Sequence, residues 1–314
     1  MKKSKPVAIG RLTWKQSFAQ YWLLYLMLIV PILYYIIFKY LPMVGILIAF
    51  KKYQPFSGIP GIFTSKWVGL YWFEKFFKSK YAITLIRNSL MISVKKLIVC
   101  FPAAIILAVM LNSVNNLRFK KVVQTVSYLP HFLSIVVVCS IVRSVTSIDG
   151  GIVNGVIKML GGEPIVFLGS NQHFQGTLVI SDLWRTVGWN SIVYLAAMSS
   201  IDPALYEAAT MDGAEWYHKI WHVTLPAIAP IISLMFILRC GELLNAGFEQ
   251  IFNLYSANVY ETGDIIDTFV YREGLKNLNY SYSTAVNLFK SVIAMILVLG
   301  SNFFAKKMGQ EGIW

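Results

Sequence analysis

Six apolar stretches dominate this chain of 314 residues. They lie at about 20–38, 88–111, 122–142, 177–198, 224–245 and 285–305, and each has the roughly 20 residues that an α-helix needs to cross a bilayer. Because only 14% of the residues are charged, against roughly a quarter in soluble domains, a soluble globular enzyme is excluded. The pattern predicts an all-α integral membrane protein, a single domain over 1–314 with six transmembrane helices.

The excess of basic residues predicts how these helices are oriented. The formal net charge is +13, which in a soluble protein would suggest nucleic acid as a partner. Basic residues that flank membrane spans contact anionic lipid instead, so we expect a lipid bilayer and no nucleic acid. Basic residues are about twice as dense in both tails and in the loops 112–121 and 199–223 as in the opposite loops. The positive-inside rule therefore places both termini in the cytoplasm.

Three cysteines, Cys100, Cys139 and Cys240, fall inside apolar stretches. That placement favours small core residues over a disulfide framework or a metal site. The chain also lacks a G-x-x-x-x-G-K phosphate loop, so we expect that it does not bind ATP by that motif.

The loop between the fourth and fifth stretches, IDPALYEAATMDGAEWYHKIWHVTLPAIAP, predicts a short helix outside the bilayer at about 203–213. Asp202 is suited to cap this helix and Pro203 to its first position, and Gly213 is suited to end it. Physical reasoning leaves two interpretations open. The segment is either an ordinary interfacial helix between two spans or a protrusion that seats in a groove of a partner.

The same loop resembles the EAA loop of the permease subunits of ABC importers. The resemblance rests on Glu207, Ala208 and Ala209, then Asp212, Gly213 and Ala214, and finally Leu225 and Pro226. In that family the loop forms a coupling helix that docks into a cleft of the cytoplasmic ATPase. The resemblance therefore implies that the ATPase is contacted by Glu207, Ala208, Ala209, Asp212, Gly213 and Ala214.

Two further segments widen the resemblance. The first segment is YLPMVGILIAFKKYQPFSGI with WVGLYWFEKFF, and the second is GFEQIFNLYSANVYETGDIIDTFVYREGL. They look like the polysaccharide and complex-oligosaccharide branch of maltose-type carbohydrate permeases. This implies the type I ABC importer permease fold in a bacterial cell membrane, with an oligosaccharide as substrate. The implied partners are a second permease subunit, a cytoplasmic ABC ATPase dimer and an extracellular sugar-binding protein. ATP and Mg would belong to the partner ATPase, with no cofactor bound by this chain.

Charged residues inside the apolar stretches are the candidates for a substrate path, because such groups face a bundle interior or a water-filled pathway. Asp182 and Arg185 in the fourth stretch, like Arg239 and Glu242 in the fifth, are spaced to meet on one helix face. Each pair either neutralises itself during packing or lines a cavity. Sugars need hydrogen-bonding groups and flat aromatic faces, so the candidate residues are Arg185, Trp189, Asn190, Tyr194, Arg239, Glu242, Asn245 and Asn287.

Three lysines in apolar stretches need separate explanations. We expect Lys95 and Lys96 to extend toward the membrane surface rather than to face a partner subunit. Lys290 is expected to pair with a carboxylate of the fifth stretch.

Two other functions compete with this assignment. His218 and His222 have the spacing of a zinc protease motif, but Lys219 stands where that motif needs glutamate. An ion-coupled secondary transporter is the alternative, since Pro31 and Pro102 interrupt two stretches. It gives no reason for a cytoplasmic EAA helix, and such a carrier would work without an ATPase.

Overall fold

The computed structural model describes residues 14–307 and 309, and their regular structure is helical. One isolated antiparallel bridge, between Lys51 and Trp67, is the exception within these residues. The all-α prediction is therefore confirmed, as expected for a chain whose backbone must satisfy its own hydrogen bonds in lipid. The basic N-terminal residues that support the predicted orientation, Lys2, Lys3, Lys5 and Arg11, lie outside the described residues.

The helices differ widely in length. The first half of the chain forms α1 (Trp14–Tyr35), α2 (Leu41–Met43), α3 (Gly58–Thr64), α4 (Tyr71–Lys78), α5 (Ala82–Ser113), α6 (Leu117–Phe132), α7 (Ile135–Val145) and α8 (Ile152–Met159). The second half forms α9 (Asn171–Ser199), α10 (Pro203–Met211), α11 (Trp216–Lys219), α12 (Leu225–Gly241), α13 (Phe248–Leu254), α14 (Tyr260–Gly263), α15 (Ile266–Tyr271) and α16 (Tyr280–Lys307). Among these lie π-helical turns at Ile36–Tyr40, Ile220–Thr224 and Arg272–Lys276, and 3-10 turns at Val44–Phe50, Pro55–Ser57 and Ala257–Val259.

Four helical segments of the described chain are long and apolar enough to cross a membrane: Gln20–Phe50, Ala82–Ser113, Trp216–Gly241 and Tyr280–Lys307. A fifth candidate is the pair α6 and α7, which bend by 104° at their junction. The junction divides the stretch 122–142, which the sequence presents as one run. Ser134 starts the second helix by accepting a hydrogen bond from the backbone N–H of Val137 at 3.4 Å.

The fourth predicted stretch, 177–198, corresponds to α9, which is not apolar enough to be counted as a span by composition. With 29 residues it is about 43 Å long, ample for a bilayer. It is not among the helices of sufficient hydropathy, because it carries charged and amide side chains along one face. The count by length and composition is thus four or five rather than the predicted six. The fifth predicted stretch also ends early, since α12 stops at Gly241.

Close packing of α9 against its neighbours forms the centre of the molecule. Cys100, Cys139 and Cys240 are free and buried, as predicted for small core residues. The tightest approach is at Gly188 of α9, where a Cβ atom would lie 2.2 Å from the backbone carbonyl oxygen of Ser127 in α6. Only glycine allows these two helices to come so close, as small residues do at helix interfaces in membranes.

The Gly188 contact predicts a stability effect. Gly188→Ala should lower the free energy of unfolding by about 1–3 kcal/mol, because α6 and α9 must separate to admit a methyl group. Reversible unfolding in mixed micelles measures the change. Gly176→Ala is the matched control on the same helix, where a Cβ meets no atom within 4 Å. Equal stability of the two variants would contradict the packing described.

Candidate functional site

A polar cavity of about 320 Å³ lies between α5, α9 and α12 and the segment 242–247 that follows α12. Seven of the eight substrate-path candidates line it: Arg185, Trp189, Asn190, Tyr194, Arg239, Glu242 and Asn245. Asn287 does not. It lies exposed on α16, where its backbone carbonyl accepts a hydrogen bond from Ser291. The polar faces of two predicted spans thus meet at one cavity.

Lys96 forms the most connected group on the cavity wall, and sequence reasoning missed its role. Its ammonium group donates to the carbonyl of Ala246 at 2.9 Å and to Oε1 of Gln250 at 2.6 Å, and it lies 3.7 Å from a carboxylate oxygen of Asp182. The side chain is only 12% exposed. Lys96 therefore points into the protein, and the expectation that it extends toward the membrane surface is wrong.

The same cluster depends on a glycine and a buried amide. Gly247 adopts φ +94°, and a Cβ there would lie 2.9 Å from the Lys96 ammonium nitrogen. The amide group of Gln250 donates to the backbone carbonyl of Leu178 at 3.0 Å and to the Ser181 hydroxyl at 2.8 Å. Lys96 and Gln250 together connect α5, α9 and α13.

Lys95, by contrast, is exposed, and its ammonium group donates to Oε1 of Gln175 near the start of α9 at 2.8 Å, so the expectation for Lys95 stays a prediction. One sequence signal was available for Lys96. Ser89, Ser93, Cys100 and Ala104 are small and buried, and together with Lys96 they follow one another at steps of three or four residues along the same helix. Such a stripe of small residues marks a helix face that packs against another helix, and Lys96 belongs to it.

Of the two predicted charge pairs, one forms. Arg239 donates to a carboxylate oxygen of Glu242 at 3.1 Å and to the Asn190 amide oxygen at 3.2 Å. Asp182 and Arg185 do not pair, since Asp182 lies against Lys96. Among the described residues, Arg185 makes no hydrogen bond or salt bridge, and its buried Nε atom has no partner.

Aromatic side chains complete the wall. The Trp189 ring is stacked on His131, with ring centroids 4.4 Å apart and the planes 3° from parallel. His131 lies at the end of α6, directly before its bend into α7. Tyr194 is 3% exposed and meets Phe101 edge to face. The bend between α6 and α7 therefore places the histidine that supports Trp189.

The loop after α9 forms the exposed helix α10. Asp202 caps it by accepting a hydrogen bond from the Ala204 N–H at 2.9 Å. Gly213, with φ +76°, ends it, while the N–H of Ala214 bonds to the carbonyl of Ala209 at 2.9 Å. This is the Schellman ending that glycine favours.

None of the six EAA candidates is buried: Glu207, Ala208, Asp212 and Gly213 are exposed, and Ala209 and Ala214 are partly exposed. One contact connects this loop to the cavity helices. The Tyr206 hydroxyl lies 2.9 Å from the Thr224 hydroxyl, in the π-helical turn that leads into α12. This hydrogen bond connects α10 to the turn that leads into α12.

The opposite end of the bundle is held by ion pairs. Lys290 of α16 pairs with Asp267 of α15 at 2.6 Å, so the expectation that its partner lies on the fifth stretch is wrong. Arg272 makes a bidentate contact with Asp264, at 3.2 and 2.7 Å. Burial disfavours the charge on Arg272, but Asp264 more than offsets burial and raises the pKa of Arg272 above its ordinary value.

Comparison with known proteins identifies the family. Residues 101–309 match the family described as binding-protein-dependent transport system inner membrane component. The chain belongs to this family. The permease is 45% identical, over 93% of its own length and 90% of the relative's, to the polygalacturonan/rhamnogalacturonan transport system permease protein YteP of Bacillus subtilis (strain 168). Protein LplB of the same organism is 45% identical, with 93% and 91% covered.

Solved structures agree with this assignment. The permease matches a chain of a bacterial ABC transporter involved in the import of the acidic polysaccharide alginate, with a TM-score of 0.86, 39% identity and coverage of 94% of the permease and 98% of that chain. It also matches a chain of the alginate transporter in complex with a periplasmic protein bound to an alginate pentasaccharide, with a TM-score of 0.88, 38% identity and coverage of 96% and 100%. The permease is thus a multi-pass transport subunit with the ABC importer permease fold.

The Lys96 cluster generates a second stability prediction. Lys96→Met should lower the free energy of unfolding by about 3 kcal/mol, the low end of the range for buried pairs, because it leaves the partly buried carboxylate of Asp182 without its cation. Adding Asp182→Asn should restore part of the loss, since the two effects are coupled. Unfolding in mixed micelles measures both.

The matched control is Lys78→Met, which breaks an ion pair with Glu74 whose side chains are 75% and 61% exposed. No measurable change is expected there, because exposed pairs contribute little. A loss at Lys96 no greater than at Lys78, or no recovery in the double variant, would contradict the cluster's structural role.

Proposed function

We propose that the permease imports oligosaccharides or polysaccharide fragments as one of two permease subunits of an ATP-driven importer. One observation carries the proposal: seven predicted hydrogen-bonding and aromatic side chains line one cavity between α5, α9 and α12. The similarity to YteP, a polygalacturonan/rhamnogalacturonan permease, and to the importer of the polysaccharide alginate supports it.

The cavity has the chemistry that a sugar requires. Arg239, Glu242 and Asn245 provide donors and acceptors, and Trp189 and Tyr194 provide aromatic surface. A volume of about 320 Å³ falls within the range of small-ligand pockets, roughly 300–1,000 Å³. It accommodates part of an oligosaccharide at a time, so we expect the chain of sugars to pass through in an extended form.

The exposed helix α10 is proposed to dock with the ATPase. Its outer face carries Ala208, which follows Tyr206 by two residues and so points about 200° away from it. Tyr206 faces the permease through its contact with Thr224, which leaves the small side chain of Ala208 facing outward. A small outer face suits insertion into a cleft of another protein.

The remaining partners follow from the same proposal. Closure of an ABC ATPase dimer, which binds ATP and Mg, would move the coupling helices and switch the permease between inward-open and outward-open states by rigid-body motion. An extracellular sugar-binding protein would deliver the substrate to the opposite end. This arrangement requires both termini in the cytoplasm, consistent with the basic residues on that side.

Ala208→Trp tests the coupling helix. The substitution should reduce association of the ATPase with the purified permease by at least tenfold and abolish saccharide uptake, because the indole blocks a close contact. The permease itself should keep its stability, since Ala208 is exposed. Affinity purification with quantitative mass spectrometry measures association, and uptake is measured in proteoliposomes.

The matched control is Ala257→Trp, an exposed alanine in the segment between α13 and α14, at the end of the bundle away from α10. It should leave ATPase association unchanged. Normal association and uptake in the Ala208 variant would rule out α10 as the coupling helix.

A further inference from the structure

Arg185 differs from the other two cations that line the cavity. Arg239 is paired with Glu242 and Asn190, and Lys96 is held by Asp182, Gln250 and the backbone. The guanidinium of Arg185 has no hydrogen-bond or ion-pair partner among the described residues, although its Nε atom is buried. A buried donor without a partner is costly, and because Arg185 lines the cavity, a ligand bound there can supply the missing partner.

The net charge of the side chains that line the cavity also points to Arg185. Three cationic and two anionic side chains line it, and both anions are engaged by cations other than Arg185. One positive charge therefore remains uncompensated, and it lies on Arg185. A neutral sugar would leave this charge uncompensated, whereas one carboxylate would neutralise it.

The neighbours of Arg185 define what else the ligand carries. Trp189 is four residues further along α9 and lies on the same helix face, with His131 stacked on its ring. A guanidinium binds a carboxylate through two parallel hydrogen bonds, and a flat indole contacts the apolar face of a pyranose ring. Uronate residues combine a carboxylate and a pyranose ring in one sugar unit.

We infer that Arg185 binds the carboxylate of a uronate unit while Trp189 packs against the sugar ring, so that the permease selects acidic saccharides over neutral ones. This inference rests on the proposed function and narrows its substrate class. It places selectivity in the permease itself, in addition to any selection by the binding protein.

A competition experiment tests the inference on the purified complex of the permease with its second permease subunit and ATPase, without the binding protein. Tritiated trigalacturonate is displaced either by unlabelled trigalacturonate or by its fully methyl-esterified form, in which each carboxylate is replaced by a neutral methyl ester. The wild-type complex should bind the acid at least tenfold more tightly than the ester. Raised salt should weaken binding of the acid but not of the ester.

Variants of Arg185 separate the effect of its charge from the effect of the shape of its side chain. Arg185→Gln should weaken binding of the acid by about tenfold to a hundredfold, the range for a charged hydrogen bond, and leave the ester unaffected. Arg185→Lys should keep part of the preference, and Arg118→Gln, which removes an exposed arginine at the start of α6, should change neither affinity. Thermal unfolding of each variant checks that the complex is intact.

Three results would overturn the inference. Equal binding of acid and ester by the wild type would leave a saccharide permease without charge selection. Loss of the second permease subunit from the Arg185→Gln complex, with unchanged acid binding, would assign Arg185 to subunit assembly. Failure of the wild-type complex to bind either saccharide would overturn this inference, whereas saccharide uptake that requires the binding protein and ATP would leave the proposed function intact.

Discussion

The contact between the Lys96 ammonium group and the carboxylate of Asp182, at 3.7 Å, is the interaction on which the cavity depends. A charge in the interior of a membrane bundle is tolerated only where it is paired or reaches water. Lys96 also donates to the segment after α12 through Ala246 and to α13 through Gln250. A single cation thereby positions α5, α9 and the end of α12 around the same space, and leaves Arg185 without its predicted partner.

The need to pair charges inside the bundle also explains why α9 is too polar to be recognised as a membrane span by its composition. Its cavity face carries Asp182, Arg185 and Asn190, whereas Gly188 packs against the backbone of α6. The helix packs against α5, α6 and α12, while its apolar residues Ile180, Trp184 and Val193 remain exposed. The average hydropathy of such a helix is a poor guide to whether it crosses the membrane. Its polar side chains contact other protein groups or the cavity, so they do not need an apolar environment.

Much of the candidate site was predictable because its residues obey helical spacing. Arg185, Trp189 and Asn190 lie within two turns of one apolar stretch, so their common face follows from 3.6 residues per turn. The cap at Asp202 and the ending at Gly213 are likewise local features. Asn287 was assigned by composition only, and it lies away from the cavity.

The interactions that could not be predicted from the sequence are contacts between segments that are distant in the chain. The partner of Lys96 is 86 positions away in the chain, and that of Lys290 is on α15 rather than on the fifth stretch. No periodicity within one helix reports which neighbour a long side chain meets. The stacking of His131 on Trp189 likewise joins residues of two different helices, α6 and α9.

Reconstitution provides the most direct test of the account, by measuring saccharide uptake into proteoliposomes that contain the permease with its second subunit and ATPase, supplied with the binding protein. The account predicts uptake that requires ATP on the side of the ATPase and is unaffected when ion gradients are dissipated. Accumulation of the saccharide by this chain without an ATPase, driven by an ion gradient, would contradict it.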